Sequence, residues 1–153
     1  DMEDLAGRCS DLLTGEPQWE LALYDSRRTA PALFETFVQR LDAFGDRVSV
    51  RRFMAGTNSN SEAFRADLVM VTADSLSMIT EAVAAARPTL VVGADTYAGP
   101  RRDRSELDDM TSRGLIARSK FCDIAPATLR AVTVPPRVSR PAELSRLLQA
   151  RGF

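Results

Sequence analysis

Thr72, Asp74, Ser75 and Ser77 place four oxygen-bearing side chains within six residues, and Glu81 follows four positions after Ser77. Hydroxyls beside free backbone N–H groups at the start of a helix suit a phosphate, because both donate to its oxygens and the helix dipole favours its charge. A carboxylate at i+4 from Ser77 falls on the same side of such a helix, where it could accept from a diol next to that phosphate. Serine and aspartate also cap ordinary helices, and an early acid suits the dipole of any helix. The spacing alone therefore leaves ligand and cap both open.

The surrounding residues supply the elements that such chemistry needs. Residues 68–71 and 89–92 are short apolar runs, the pattern of strands buried on both faces of a parallel sheet. Between them Met78, Ile79, Ala82, Val83 and Ala86 recur at helical spacing, with Asp74 or Ser75 as N-cap and Pro88 blocking continuation. The stretch is one βαβ unit, and its polar cluster lies where the strand ends and the helix begins.

A first strand is predicted over 19–24, followed by Asp25-Ser-Arg-Arg-Thr-Ala-Pro and a helix over 31–44. Leu33, Phe34, Phe37, Val38, Leu41 and Phe44 give this helix a wide apolar stripe, and Pro31 suits its first turn. Ser26 and Thr29 read either as helix caps or, with Arg27 and Arg28, as phosphate ligands, since guanidinium forks and hydroxyls can share phosphate oxygens. Residues 48–54 form the second strand. A polar loop with Asn58 and Asn60 follows, then a short helix over 62–66.

After Gly93 comes a loop rich in turn formers and arginine. Ser105 is the expected cap of a helix through Leu107 and Met110 that closes at Gly114. Arg101, Arg102 and Arg104 are balanced by Asp103, Glu106, Asp108 and Asp109, which reads as a solvated charged face. At the two ends, residues 1–14 carry Leu5, Cys9, Leu12 and Leu13 as an amphipathic linker helix. A final helix is expected over 140–151, with Leu144, Leu147 and Leu148 packing back on the domain.

With 153 residues, 44% of them hydrophobic, the chain suits one domain with a real core. A formal net charge of −1 provides no global field for nucleic acid. All but one of the basic residues are arginine, Lys120 being the exception. A bias spread along the whole chain reads as composition, and only the arginines near strand ends count as candidates. The absence of histidine removes Ser-His-Asp triads, Cys-His pairs and His-ligated metals. Cys9 and Cys122 share no metal spacing and read as reduced thiols of a cytoplasmic protein. No run is long enough to span a membrane, which leaves room only for peripheral contact with the inner membrane. Residue 1 is Asp, so residues 1–153 read as a single domain cut from a longer two-domain protein.

The strand and helix order implies an α/β fold with a doubly wound parallel sheet, Rossmann-like, and strand-end loops that converge on one crevice. No Gly-x-Gly-x-x-Gly is present, which argues against a dinucleotide. Thr72-Ala-Asp-Ser-Leu-Ser-Met-Ile-Thr-Glu-Ala resembles the motif of the bacterial and plant family named after the plant elongate-mitochondria fission protein. Tyr24-Asp-Ser-Arg-Arg-Thr-Ala-Pro resembles that family's Ser-Arg-Arg-Thr-Pro signature, with Ala30 inserted before Pro31. The family in turn resembles the C-terminal half of GT-B glycosyltransferases.

The resemblance implies that Glu81 holds a donor ribose, that Ser75 and Ser77 meet the diphosphate, with Asp74 beside them, and that Ser26, Arg27, Arg28 and Thr29 also face the phosphates. It makes Asn58 and Asn60 further candidates, beside the reading of a plain surface loop. The expected function is binding of a nucleoside-diphosphate sugar as substrate, with no metal or tightly bound cofactor and with the N-terminal half of the same protein as partner, so that this piece alone would bind without turnover. An interaction or recruitment module on the same scaffold is the alternative from a different class. A third, the nucleoside-diphosphate-sugar epimerase label sometimes given to the family, is disfavoured because Tyr24 and Tyr97 lack a Lys four residues on.

Overall fold

The computed structural model describes residues 2–26, 29–54 and 59–135. Helix α1 (Met2–Gly15) leads into β1 (Leu21–Tyr24), α2 (Pro31–Leu41) and β2 (Val48–Arg51). A second run holds β3 (Val69–Thr72), α3 (Leu76–Ala84), β4 (Thr89–Val92), α4 (Arg101–Ser112) and β5 (Ala117–Ser119). The short helix α5 (Pro126–Arg130) follows.

All strand pairings among these are parallel, in two ladders: β1 with β2, and β3-β4-β5 with β4 central. The four residues of β4 are fully buried, as a strand covered on both faces requires. Thr89, the one polar residue there, donates its hydroxyl to the Arg87 carbonyl at 2.8 Å, so no buried polar group is left without a partner in that strand.

Alternate side chains of the strands enter two different apolar clusters, as a period of two demands. Val69, Val71 and Val91 pack with Ile79 and Ala82 of α3 and with Leu107 and Met110 of α4. Leu90 and Val92 pack on the opposite side with Leu5, Cys9, Leu12 and Leu13 of α1 and Phe37 and Leu41 of α2. Each fully buried Leu, Ile or Val contributes roughly 1.5–3 kcal/mol relative to exposure. α2 packs on one side of the strands and α3 and α4 on the other, the placement that right-handed crossovers in opposite directions produce. The fold is an α/β arrangement wound both ways.

Among the described residues the two ladders do not join into one continuous sheet. Leu21 and Leu23 of β1 and Met70 of β3 pack against the same cluster as Leu90 and Val92, so the two ladders are coupled through side chains. Arg47 adds a polar tie at the other end of β1. Its guanidinium donates to the carbonyl of Leu13 in the last turn of α1 and to that of Glu16 at 2.8 Å, and to that of Trp19 at 3.1 Å, tying the end of α1 to the segment that leads into β1.

Several boundaries differ from the sequence expectation. α2 stops at Leu41 and tightens into a 3-10 segment, Asp42–Arg47, broken by Gly45 at φ 53°. The short helix expected over 62–66 is present as a 3-10 segment, Ser59–Arg65, which starts three residues earlier. α4 begins at Arg101 behind Pro100, so Ser105 lies inside the helix and caps nothing. β5 was not anticipated.

The stop of α3 also differs. The N–H of Arg87 donates to the Ala82 carbonyl and that of Ala86 to Val83, with Ala86 at φ 54°, the Schellman arrangement. α4 ends in the same way on Gly114 at φ 67°, as expected. Pro88 therefore stands beyond a termination already made.

Both cysteines are free, and burial pushes the Cys9 thiol up to about 12 while Cys122 is exposed. Among the described residues no helix is long and apolar enough to cross a membrane. The helix expected over 140–151 lies outside the described residues.

Candidate functional site

The start of α3 is built by two backbone bonds. The N–H of Ala73 donates to the Val92 carbonyl at 3.0 Å, hooking the turn onto β4, and the N–H of Ser75 donates to the Thr72 carbonyl at 3.1 Å. Ser75 is the N-cap residue, its carbonyl accepting from Ile79 at 3.1 Å, yet its side chain makes no capping hydrogen bond. Neither hydroxyl of Ser75 nor of Ser77 has a partner among the described residues. Asp74 and Ser77 are exposed and Ser75 is half-buried. Glu81 is exposed one turn further along and makes no ion pair among the described residues.

The loop after β1 is different. The N–H of Ser26 donates to the Thr29 hydroxyl at 2.9 Å, the N–H of Thr29 to the Ser26 carbonyl at 2.9 Å, and the two hydroxyls are 3.1 Å apart. Neither side chain caps α2. That position belongs to Ala30, whose carbonyl accepts from Leu33 and Phe34, with Pro31 following as expected. The expectation of Ser26 or Thr29 as a cap is corrected because the pair closes a turn on itself before the helix begins. Arg27, Arg28 and Asn58 lie outside the described residues.

Two residues of this region carried no signal in the sequence. Asp25 accepts through its carboxylate from the backbone N–H of Phe53, and its own N–H donates to the Arg51 carbonyl at 3.3 Å. These bonds follow from the β1–β2 register, which sets Tyr24 opposite Arg51. The second strand, expected to reach residue 54, ends at Arg51. There the side chains of Arg51 and Arg52 turn away to Glu62 at 3.5 Å and Glu35 at 2.7 Å.

Around α4, Asp103, Asp108 and Asp109 are engaged elsewhere than on the first-turn arginines. Asp108 pairs with Arg118 at 2.5 Å, Asp109 with Arg113 at 3.3 Å, and Asp103 accepts from the Tyr97 hydroxyl at 3.1 Å. Arg101, Arg102 and Arg104 are exposed. A depression of about 440 Å³ lies where β4 and β5 end, with Asp95, Arg118, Lys120 and Asp123 in its wall; none of the predicted site residues lines it.

Chemically the start of α3 offers hydroxyl and amide donors and a separate carboxylate acceptor, a set able to bind an anion and a diol but holding no general base of histidine type. No group of three Cys, Asp or Glu among the described residues could hold a metal ion. No curated protein and no solved structure matches the chain. The model of the family described as Mitochondrial fission ELM1 matches residues 1–140, and the chain belongs to that family.

Proposed function

We propose that the chain is the donor-binding domain of a GT-B-like glycosyltransferase and takes a nucleoside-diphosphate sugar, without a tightly bound metal. The diphosphate sits at the first turn of α3, where the hydroxyls of Ser75 and Ser77 and the helix N–H groups donate to it, and the Glu81 carboxylate accepts from the ribose diol. The observation that carries this reading is the uncommitted N-cap: a serine in capping position whose hydroxyl caps nothing, with Ser77 and Glu81 exposed beside it. A helix dipole and oriented donors stabilise a leaving diphosphate electrostatically, the role a metal has elsewhere.

Acceptor and general base belong to the other half of a longer two-domain protein. The chain acts in the cytoplasm, with at most a surface contact to the inner membrane. Titration calorimetry with UDP, GDP, ADP and CMP tests the assignment. One nucleotide should bind, and Glu81→Ala should weaken it about tenfold, roughly 1.4 kcal/mol. No heat with any of the four contradicts it. A second reading, a recruitment platform, is supported by the exposed Leu33, Phe53 and Met54, and predicts a protein partner with no nucleotide affinity.

A further inference from the structure

Residues 51–54, the last of β2 and the three that follow it, are fastened from several sides. Arg51 reaches Glu62 at 3.5 Å, Arg52 pairs with Glu35 at 2.7 Å and lies 5.5 Å over the Phe34 ring, and the Phe53 N–H donates to the Asp25 carboxylate. What these polar contacts hold toward water is apolar: Phe53 is 41% and Met54 63% exposed. Leaving such surface uncovered forgoes about 25 cal/mol per Å².

We propose that Phe53 is the stacking platform for the base of the bound nucleotide, with Met54 as its adaptable apolar rim. The inference rests on the nucleotide assignment above and adds the residues that receive the base. An aromatic face accepts any base by stacking, and a thioether adjusts to irregular edges. The pair sits at the carboxyl end of a parallel ladder, where ligands of open α/β sheets lie. Asp25, which holds the Phe53 N–H, follows directly on β1, and β1 shares an apolar cluster with β3, the strand that leads into α3, and with β4. A protein partner fits less well. Phe53 presents on the order of 100 Å², whereas a stable interface takes about 800 Å² from each side.

The test compares ligands with and without a base: UDP, GDP, ADP and CMP against ribose 5-phosphate and inorganic pyrophosphate, on the full chain and on Phe53→Ala and Phe53→Trp. Phe53→Ala should weaken the bound nucleotide roughly 10- to 100-fold, leave pyrophosphate and ribose 5-phosphate unchanged, and be rescued by Phe53→Trp. Equal loss with and without a base, or unchanged nucleotide affinity, overturns the platform while leaving the nucleotide assignment standing. Failure of the unsubstituted chain to bind any nucleotide overturns both. If Phe53→Ala instead removes self-association in sedimentation with nucleotide affinity intact, the patch is an interface between copies and the platform is overturned.

Discussion

After β1 the chain carries Asp25, Ser26 and Thr29 ahead of a helix, and after β3 it carries Asp74, Ser75 and Ser77 ahead of another, nearly the same polar groups in nearly the same place. The first set turns inward. Ser26 and Thr29 bond each other, and Asp25 clasps the segment beyond β2. In the second, the hydroxyls of Ser75 and Ser77 stay uncommitted. A spacing of three brings the Ser26 and Thr29 hydroxyls across a turn, while Ser75, at the non-helical N-cap, and Ser77, within α3, do not face each other across one. Among the described residues the hydroxyls of Ser26 and Thr29 are thus engaged with each other, whereas those of Ser75 and Ser77 are the open pair on which the proposed anion site rests.

Substitutions should separate the two ends. The largest effect is expected from Asp25→Ala, which removes a charge-assisted bond to the Phe53 N–H: urea denaturation should show a loss of about 1.5–3 kcal/mol. Thr29→Ala breaks the turn after β1 and should cost about 1 kcal/mol in the same assay, with no change in nucleotide affinity. At the far end of α3, Ala86→Gly relieves a left-handed residue and should raise stability by roughly 0.5–1 kcal/mol, visible as a higher thermal midpoint. The smallest change belongs to Ser75→Ala. An N-cap serine ordinarily contributes about 1 kcal/mol, but with no capping bond made here the loss should stay under about 0.5 kcal/mol while nucleotide binding weakens. A loss as large as that of Thr29→Ala would mean that Ser75 caps α3 after all, and the contrast would collapse.

Much of this was legible in the sequence where periodicity spoke. The stripes of α1, α2 and α3 and the apolar runs of β3 and β4 fall where their spacing placed them, within a few residues. β5 escaped notice because Ala117, Arg118 and Ser119 carry no strand signal; the register with β4 makes them a strand. The stop of α3 was read at Pro88 because alanine seldom adopts the conformation that Ala86 takes. At the site, positions were readable and commitments were not. Nothing local distinguishes the paired hydroxyls of Ser26 and Thr29 from the open ones of Ser75 and Ser77. The clasp of Asp25 on Phe53 depends on a strand register 28 residues apart.

The most direct measurement is amide chemical-shift mapping of the chain with inorganic pyrophosphate, which has no base or sugar to confuse the anion's position. The amides of Leu76 and Ser77 should move with saturable titration curves while those of Ser26 and Thr29 stay in place. Movement confined to Ser26 and Thr29, with the start of α3 unaffected, would contradict the assignment of α3 as the anion site.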